Sequence, residues 1–160
     1  MKRFLILGIV ALAVSPLFAR GKKGSWDLGG SAGLTWIDNK PYPTVSVFAK
    51  YSISSYFIWS NELKVTVRSA DSLDLTVPST MEYHPFGGKQ KIDPYLGPGI
   101  TYTHSYTGEN MVGGCGIVGV DFLFVKGTKF GLKGTLTYYL IPEKSYRWTI
   151  EPTGSWNWSF

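Results

Sequence analysis

His104 and Ser105 stand side by side, and a histidine beside a serine is the start of a nucleophilic pair for acyl transfer. The chemistry needs more: the base must reach both the serine hydroxyl and an orienting acid. Neighbouring positions of a strand point to opposite faces, so the two side chains diverge, and no Asp or Glu shares the face of His104. His104 reads better as an interfacial side chain between Tyr102 and Tyr106. His84, the other histidine, falls in the neighbourhood of Glu82. Two histidines on separate strands make no metal motif, and Gly97-Pro98-Gly99 lacks the helix and Lys-Ser/Thr of a phosphate loop. Cys115, the one cysteine, reads as a small core residue. No cofactor, metal or catalytic residue is expected.

Ten charged residues matter more as a set. Asp27, Glu62, Glu82, Asp121 and Glu151 alternate with apolar residues, as do Lys50, Lys64, Arg68, Lys133 and Arg147. All ten fall on the polar face of their segments, five acids against five bases. A narrow interior must pair the charges it buries, so the equality predicts a charge network. The hairpin between the sixth and seventh segments would bring Asp121 opposite or diagonal to Lys133, within pairing reach.

The segments that position these charges alternate apolar and polar residues between clusters of Gly, Pro, Asn, Asp and Ser. They run Trp26 to Ile37, Thr44 to Tyr51, Tyr56 to Arg68, Leu73 to His84, Tyr95 to Tyr106, Val112 to Phe124, Phe130 to Ile141 and Tyr146 to Phe160. Eight such runs joined by short turns predict an all-β, up-and-down antiparallel meander. In a membrane its unpaired edges would cost several kcal/mol per backbone group, so the sheet should close into a transmembrane barrel. Pro78, Pro98 and Pro152 each remove a ladder donor, which predicts bulges or early strand ends. Gly29, Gly33, Gly97, Gly99, Gly119 and Gly131 would make room inside for long side chains and for Tyr95 and Tyr139.

The apolar face is expected to be the outside. Gly24-Ser25-Trp26 matches the Gly-x-Trp opening of lipocalins, soluble barrels with an apolar interior, but lipocalins resemble a barrel followed by a helix, whereas this chain ends on a strand. The aromatics decide. Trp26, Tyr51, Phe57, Trp59, Tyr83, Phe122, Phe124, Phe130, Trp156, Trp158 and Phe160 collect at one end of the strands. Trp36, Tyr102, Tyr106, Tyr138, Tyr146 and Trp148 collect at the other, with Leu, Val, Ile, Ala and Gly between. Two aromatic girdles around an aliphatic belt fit the two interfaces of a membrane.

Met1-Lys2-Arg3, the apolar run Phe4 to Val14 and Ser15-Pro16-Leu17-Phe18-Ala19 have the layout of a secretory signal peptide. Cleavage after Ala19, with Ala13 as the alternative, leaves residues 20–160 as the barrel domain. The whole chain carries +5, and removal of Lys2 and Arg3 leaves +3, too little to argue for nucleic acid. The four loops near 38–43, 69–74, 107–111 and 142–145 are short and carry a net −3, with Asp74 counted among them. The other end, counting Lys129 and Asp93, is +6 and could sit against anionic lipid.

Asp93-Pro94-Tyr95-Leu96-Gly97-Pro98-Gly99-Ile100-Thr101-Tyr102 resembles the Pro-Tyr-x-Gly-x-Gly-x-x-Tyr strand of small outer-membrane barrels of the OmpA, OmpX and OmpW type. Trp156-x-Trp158-x-Phe160 resembles their closing strand, which the barrel-assembly machinery reads as a signal. The resemblance implies a bacterial outer-membrane location, contact with outer-membrane lipids and lipopolysaccharide, and insertion by that machinery. A monomer is expected. The leading functional expectation is a non-enzymatic structural barrel with a plugged polar interior. The alternative is an OmpW-like passage for small hydrophobic molecules, its weakest wall at Pro98 and Gly114 to Gly116. A further alternative is a lipid A-modifying enzyme; lipid A deacylases of this barrel size carry His and Ser on one strand face, which His104 and Ser105 do not match.

Overall fold

The structure is a computed structural model that describes residues 23–158 except 88, 89, 126 and 143. The signal segment, Ser159 and Phe160 lie outside the described residues. The strands are β1 (Trp26–Ile37), β2 (Lys40–Ser52), β3 (Phe57–Ser69), β4 (Ser72–Tyr83), β5 (Ile92–His104), β6 (Asn110–Val125), β7 (Thr128–Ile141) and β8 (Ser145–Trp158). Each pairs antiparallel with the next, and β8 closes on β1 from Trp26↔Trp158 to Ile37↔Arg147, so the sheet is a closed eight-stranded barrel.

The two-residue period sets the faces. Along β1, Asp27, Gly29 and Thr35 are buried while Trp26, Leu28, Ala32 and Leu34 are exposed. The same parity holds around the sheet: Ile100 is 71% exposed and Val118 63%, whereas Glu151 and Asp74 are 0% exposed. The apolar face is therefore the outside and the polar face the inside, the reverse of a soluble barrel. Aromatic pairs mark both rims. Trp26–Tyr51 and Phe57–Tyr83 lie at the end that carries the termini, with ring centroids 5.0 and 5.4 Å apart, and Trp36–Trp148 stack at 3.9 Å at the other.

Strand ends differ from the sequence expectation where turn chemistry decides them. Asp38 and Asn39 both take positive φ, 52° and 63°, as in a type I′ hairpin turn. That tight turn starts the pairing at Ile37↔Lys40, so β2 begins four residues before Thr44 despite Pro41 and Pro43. The loops opposite the termini shrink accordingly. Asp74 is not a loop residue but a buried residue of β4, and Asp93 and Lys129 are likewise buried within β5 and β7.

Pro78, Pro98 and Pro152 produce neither bulges nor early ends. Each coincides with a gap in one ladder and leaves the register unchanged across it: Pro78 where β3–β4 skips from Asn61↔Ser79 to Lys64↔Thr76, Pro98 where β4–β5 skips from Thr80↔Gly99 to Tyr83↔Leu96, and Pro152 where β8–β1 skips from Ser31↔Thr153 to Leu34↔Ile150. A missing N–H removes a rung, and the neighbouring rungs on both sides hold the register. Register shifts occur elsewhere, between Val67/Ser69, Val112/Gly113 and Leu123/Val125. The seam between Pro98 and Gly114 to Gly116 has no gap: β5–β6 pairs without interruption from Ile92↔Phe122 to His104↔Asn110, and the lapse at Pro98 falls on its β4 side.

Candidate functional site

The inward side chains form layers along the barrel axis. At the end bearing the termini, Lys129 Nζ donates to Asp27 Oδ2 at 2.6 Å. Asn157 Nδ2 donates to the other oxygen of Asp27 and, at 3.3 Å, to Ser25. The strands β1, β7 and β8 supply one residue each because they are neighbours with inward parity at these positions.

The next layer holds a histidine between two carboxylates. His84 Nδ1 lies 2.8 Å from Asp93 Oδ2 and its Nε2 3.2 Å from Glu82 Oε2, and Lys50 Nζ donates to the same Glu82 oxygen at 2.9 Å. Tyr95 stacks on the His84 ring at 5.1 Å and lies 4.6 Å from Lys50 Nζ on its face. His84 stands one residue past β4, and its environment moves its pKa. Burial disfavours the charge, but the hydrogen bonds to Asp93 and Glu82 outweigh burial and hold His84 above the ordinary histidine value.

Midway along the barrel, Lys133 Nζ donates to both Glu62 oxygens at 2.7 and 2.8 Å and lies 3.1 Å from Glu151 Oε2. Lys64 pairs with Glu151 at 3.0 Å, and Ser31 donates to its other oxygen at 3.0 Å. Above lies a belt of hydroxyls: Thr149, Thr35, Thr44 and Thr66 are linked in order at 3.0, 2.7 and 3.1 Å, and Thr103 bonds Thr76 and Tyr139. Near the far end Asp74 accepts from Arg68 Nε at 3.1 Å, Arg147 Nη1 at 2.8 Å and the Tyr106 N–H at 3.0 Å. Tyr139 lies under the Arg147 guanidinium at 5.2 Å.

All ten charges expected on the inner face are there, Arg68 the least covered. One expected pair is absent. The β6–β7 register sets Gly119 opposite Lys133 and Asp121 opposite Gly131, so Asp121 and Lys133 are diagonal, and Lys133 is taken by Glu62 and Glu151. Among the described residues Asp121 makes no ion pair. Sequence reasoning missed Asp74, Asp93 and Lys129. Parity would have found them, since each lies two residues before an assigned inward side chain, Thr76, Tyr95 and Gly131. With them the interior holds, among the described residues, seven carboxylates against six lysine or arginine side chains.

The inner glycines are spaces for neighbours. A Cβ on Gly29 would lie 2.5 Å from Phe48 Cζ, and one on Gly119 would overlap the Tyr95 ring. Two internal cavities of about 10 Å³ border Thr135, one beside Lys50 and Lys133 and one beside Tyr139 and Arg147, each with room for about one water.

His104 faces outward and its Nδ1 lies 2.9 Å from Asn110 Oδ1, an oxygen that also accepts from the Tyr102 hydroxyl. Ser105 is buried on the other side of the wall, donating to Asp74 at 3.3 Å. Cys115 is buried, its thiol 3.8 Å from the Ile100 carbonyl. Of the closing stripe, Trp156 faces outward and Trp158 pairs with Trp26 through the backbone.

No protein-family profile matches this chain, and no curated protein matches it significantly in sequence. Solved structures do match its shape. The outer membrane protein OprG from Pseudomonas aeruginosa is similar at 13% identity and a TM-score of 0.63, over 90% of this chain and 100% of OprG. The N-terminal β-barrel domain of Pseudomonas aeruginosa OprF is similar at 11% identity and a TM-score of 0.67, over 87% of this chain and all of that domain. Neisserial surface protein A is similar at 12% identity and a TM-score of 0.63, over 87% of this chain and 98% of that one. With its apolar exterior and polar interior, the chain has the fold of the small eight-stranded outer-membrane barrels.

Proposed function

We propose that the protein is a non-enzymatic, integral barrel of the bacterial outer membrane whose polar interior is plugged, and that its role is structural, in the integrity of the envelope. The observation that carries this reading is the Lys133 ammonium, which spans the lumen from β7 to Glu62 on β3 while also meeting Glu151 on β8. With Arg147 on β8 paired to Asp74 on β4 at one end and Lys50 on β2 paired to Glu82 on β4 at the other, ion pairs between non-neighbouring strands occur at three levels. The two cavities that border Thr135 between them are each of single-water size. A general solute path would require these pairs to separate, and breaking a buried pair costs several kcal/mol.

The aromatic rims fit contact with outer-membrane lipids and lipopolysaccharide, and the chain termini then face the periplasm, where the barrel-assembly machinery would engage the closing strand. The protein acts as a monomer. Purified protein in planar bilayers should give no steps at the nanosiemens scale of a general porin, and liposomes carrying it should not take up an apolar dye faster than empty ones. Porin-scale conductance or dye uptake would replace the plugged reading with a channel. Overexpression should leave the lipid A mass profile unchanged; a lost or added acyl chain would replace it with an enzyme.

A further inference from the structure

His84 is held by more than its position requires. It is the first residue beyond β4, and its backbone N–H donates to the Tyr56 carbonyl at 2.8 Å, which ties it to the 53–56 loop between β2 and β3. Its carbonyl accepts from the Gly87 N–H at 3.0 Å, and its ring is 1% exposed.

Both ring nitrogens face carboxylate oxygens, Asp93 on β5 and Glu82 on β4. A carboxylate only accepts, and a neutral imidazole has one N–H to give, so a single protonation state satisfies both contacts: the imidazolium. Charge gives an independent reason. Among the described residues the interior has one more carboxylate than lysine and arginine together, and a charged His84 makes the two signs equal. The other groups around it divide. Lys50 on β2 opposes its charge, Asp121 on β6 favours it, and the neutral Tyr95 ring covers one face.

The place matters because β4–β5 has a sparse ladder. Pairing runs from Leu75↔His104 to Thr80↔Gly99, lapses opposite Gly97 and Pro98, and returns only at Tyr83↔Leu96. Pro98 cannot donate there. Just beyond that last rung His84, bonded to Glu82 on its own strand, crosses to Asp93 on β5 and joins the two strands.

We propose that His84 is a proton-operated staple across the β4–β5 seam: charged, it binds Glu82 to Asp93 and closes this end of the barrel, and neutral, it releases one carboxylate and lets the seam part. Loss of the proton leaves a ring lone pair facing a buried carboxylate oxygen, two acceptors with no hydrogen between them. The staple is thus closed in acid and released in base. It gives one end of the barrel a response to periplasmic pH.

The test uses the full-length mature chain in lipid nanodiscs. Long-range proton–nitrogen NMR of the His84 ring should show both nitrogens protonated at neutral pH. As the ring titrates, amide exchange of residues 80–83 and of Leu96, Gly97 and Gly99, corrected for the intrinsic effect of pH, should rise roughly 10- to 100-fold, the loss of one charge-assisted hydrogen bond. The β5–β6 seam should not change. In H84Q, seam exchange should be fast at every pH and its pH dependence gone. A single protonated ring nitrogen at neutral pH overturns the proposal, as does a titration of the wild-type ring that leaves corrected seam exchange flat, whether or not the variant folds.

Discussion

Lys133 on β7 donates to both carboxylate oxygens of Glu62 on β3, at 2.7 and 2.8 Å, although the two strands share no ladder and lie on different walls of the barrel. Both groups are buried, and the same ammonium meets Glu151, its direct partner in the β7–β8 register. One side chain therefore neutralises charge on two walls and ties them together.

Removing that ammonium should be costly. Lys133→Met keeps the unbranched stem as far as Cε but leaves Glu62 and Glu151 to share Lys64, and the expected loss is about 3–5 kcal/mol, as for a broken buried pair. Lys133→Met with Glu62→Gln should recover part of this, because the second change removes the orphaned charge. Urea unfolding in detergent micelles or lipid vesicles, followed by Trp fluorescence, measures both. A single variant as stable as the wild type would mean that Lys133 bears no such load.

Gly119 and Tyr95 form a second coupled pair. A methyl group on Gly119 would overlap the Tyr95 ring and approach the Leu132 carbonyl at 2.9 Å. Gly119→Ala should cost about 1–3 kcal/mol, the usual range for overpacking. In the Tyr95→Leu background the cost should fall by at least half, and a double-mutant cycle on unfolding free energies reads the coupling. Equal costs in the two backgrounds would place the strain on the backbone instead.

Which residues face inward was legible because the strand period is two and one buried face fixes its phase; Asp27, Lys50 and Arg147 could be placed with no knowledge of partners. Strand ends were less legible. The Asp38-Asn39 turn, with φ of 52° and 63°, starts β2 at Lys40, and earlier starts of β5 and β7 carry Asp93 and Lys129 from loops into the interior, whereas Asp74 already lay in the fourth segment and needed only its parity. Partners across the lumen could not be read at all. Lys133–Glu62 depends on the stagger of the closed sheet, which no neighbouring-strand rule specifies, and that contact displaces the Asp121–Lys133 pair that the hairpin alone implied.

The outward face of β5 separates a membrane barrel from a soluble one. Ile100 lies mid-strand, 71% exposed, between Pro98 and Tyr102 on the same face. In a bilayer, Ile100→Arg should cost about 2–4 kcal/mol and slow insertion into vesicles. In water the same change would be neutral or helpful. Folding yield into lipid vesicles, read by the difference in gel mobility between heated and unheated samples, decides between them.

The pH dependence of stability follows from the direction in which His84 is shifted. Its folded pKa lies above the ordinary value, because the bonds to Asp93 and Glu82 outweigh the penalty of burial. A raised folded pKa gives stability that is fully present below the unfolded value of about 6.5 and lost as pH rises through the folded value. The difference in unfolding free energy between wild type and His84→Gln should therefore be largest near pH 5.5 and shrink as pH rises through the folded value. Asp93→Asn should reduce the same slope, since it puts a neutral amide in place of the carboxylate on the shorter of the two hydrogen bonds that hold the proton. Urea titrations at half-unit steps of pH measure the slope directly. A wild-type advantage that grows with pH would require His84 to be buried neutral, with its folded pKa below the ordinary value, and both carboxylates to be satisfied by other donors.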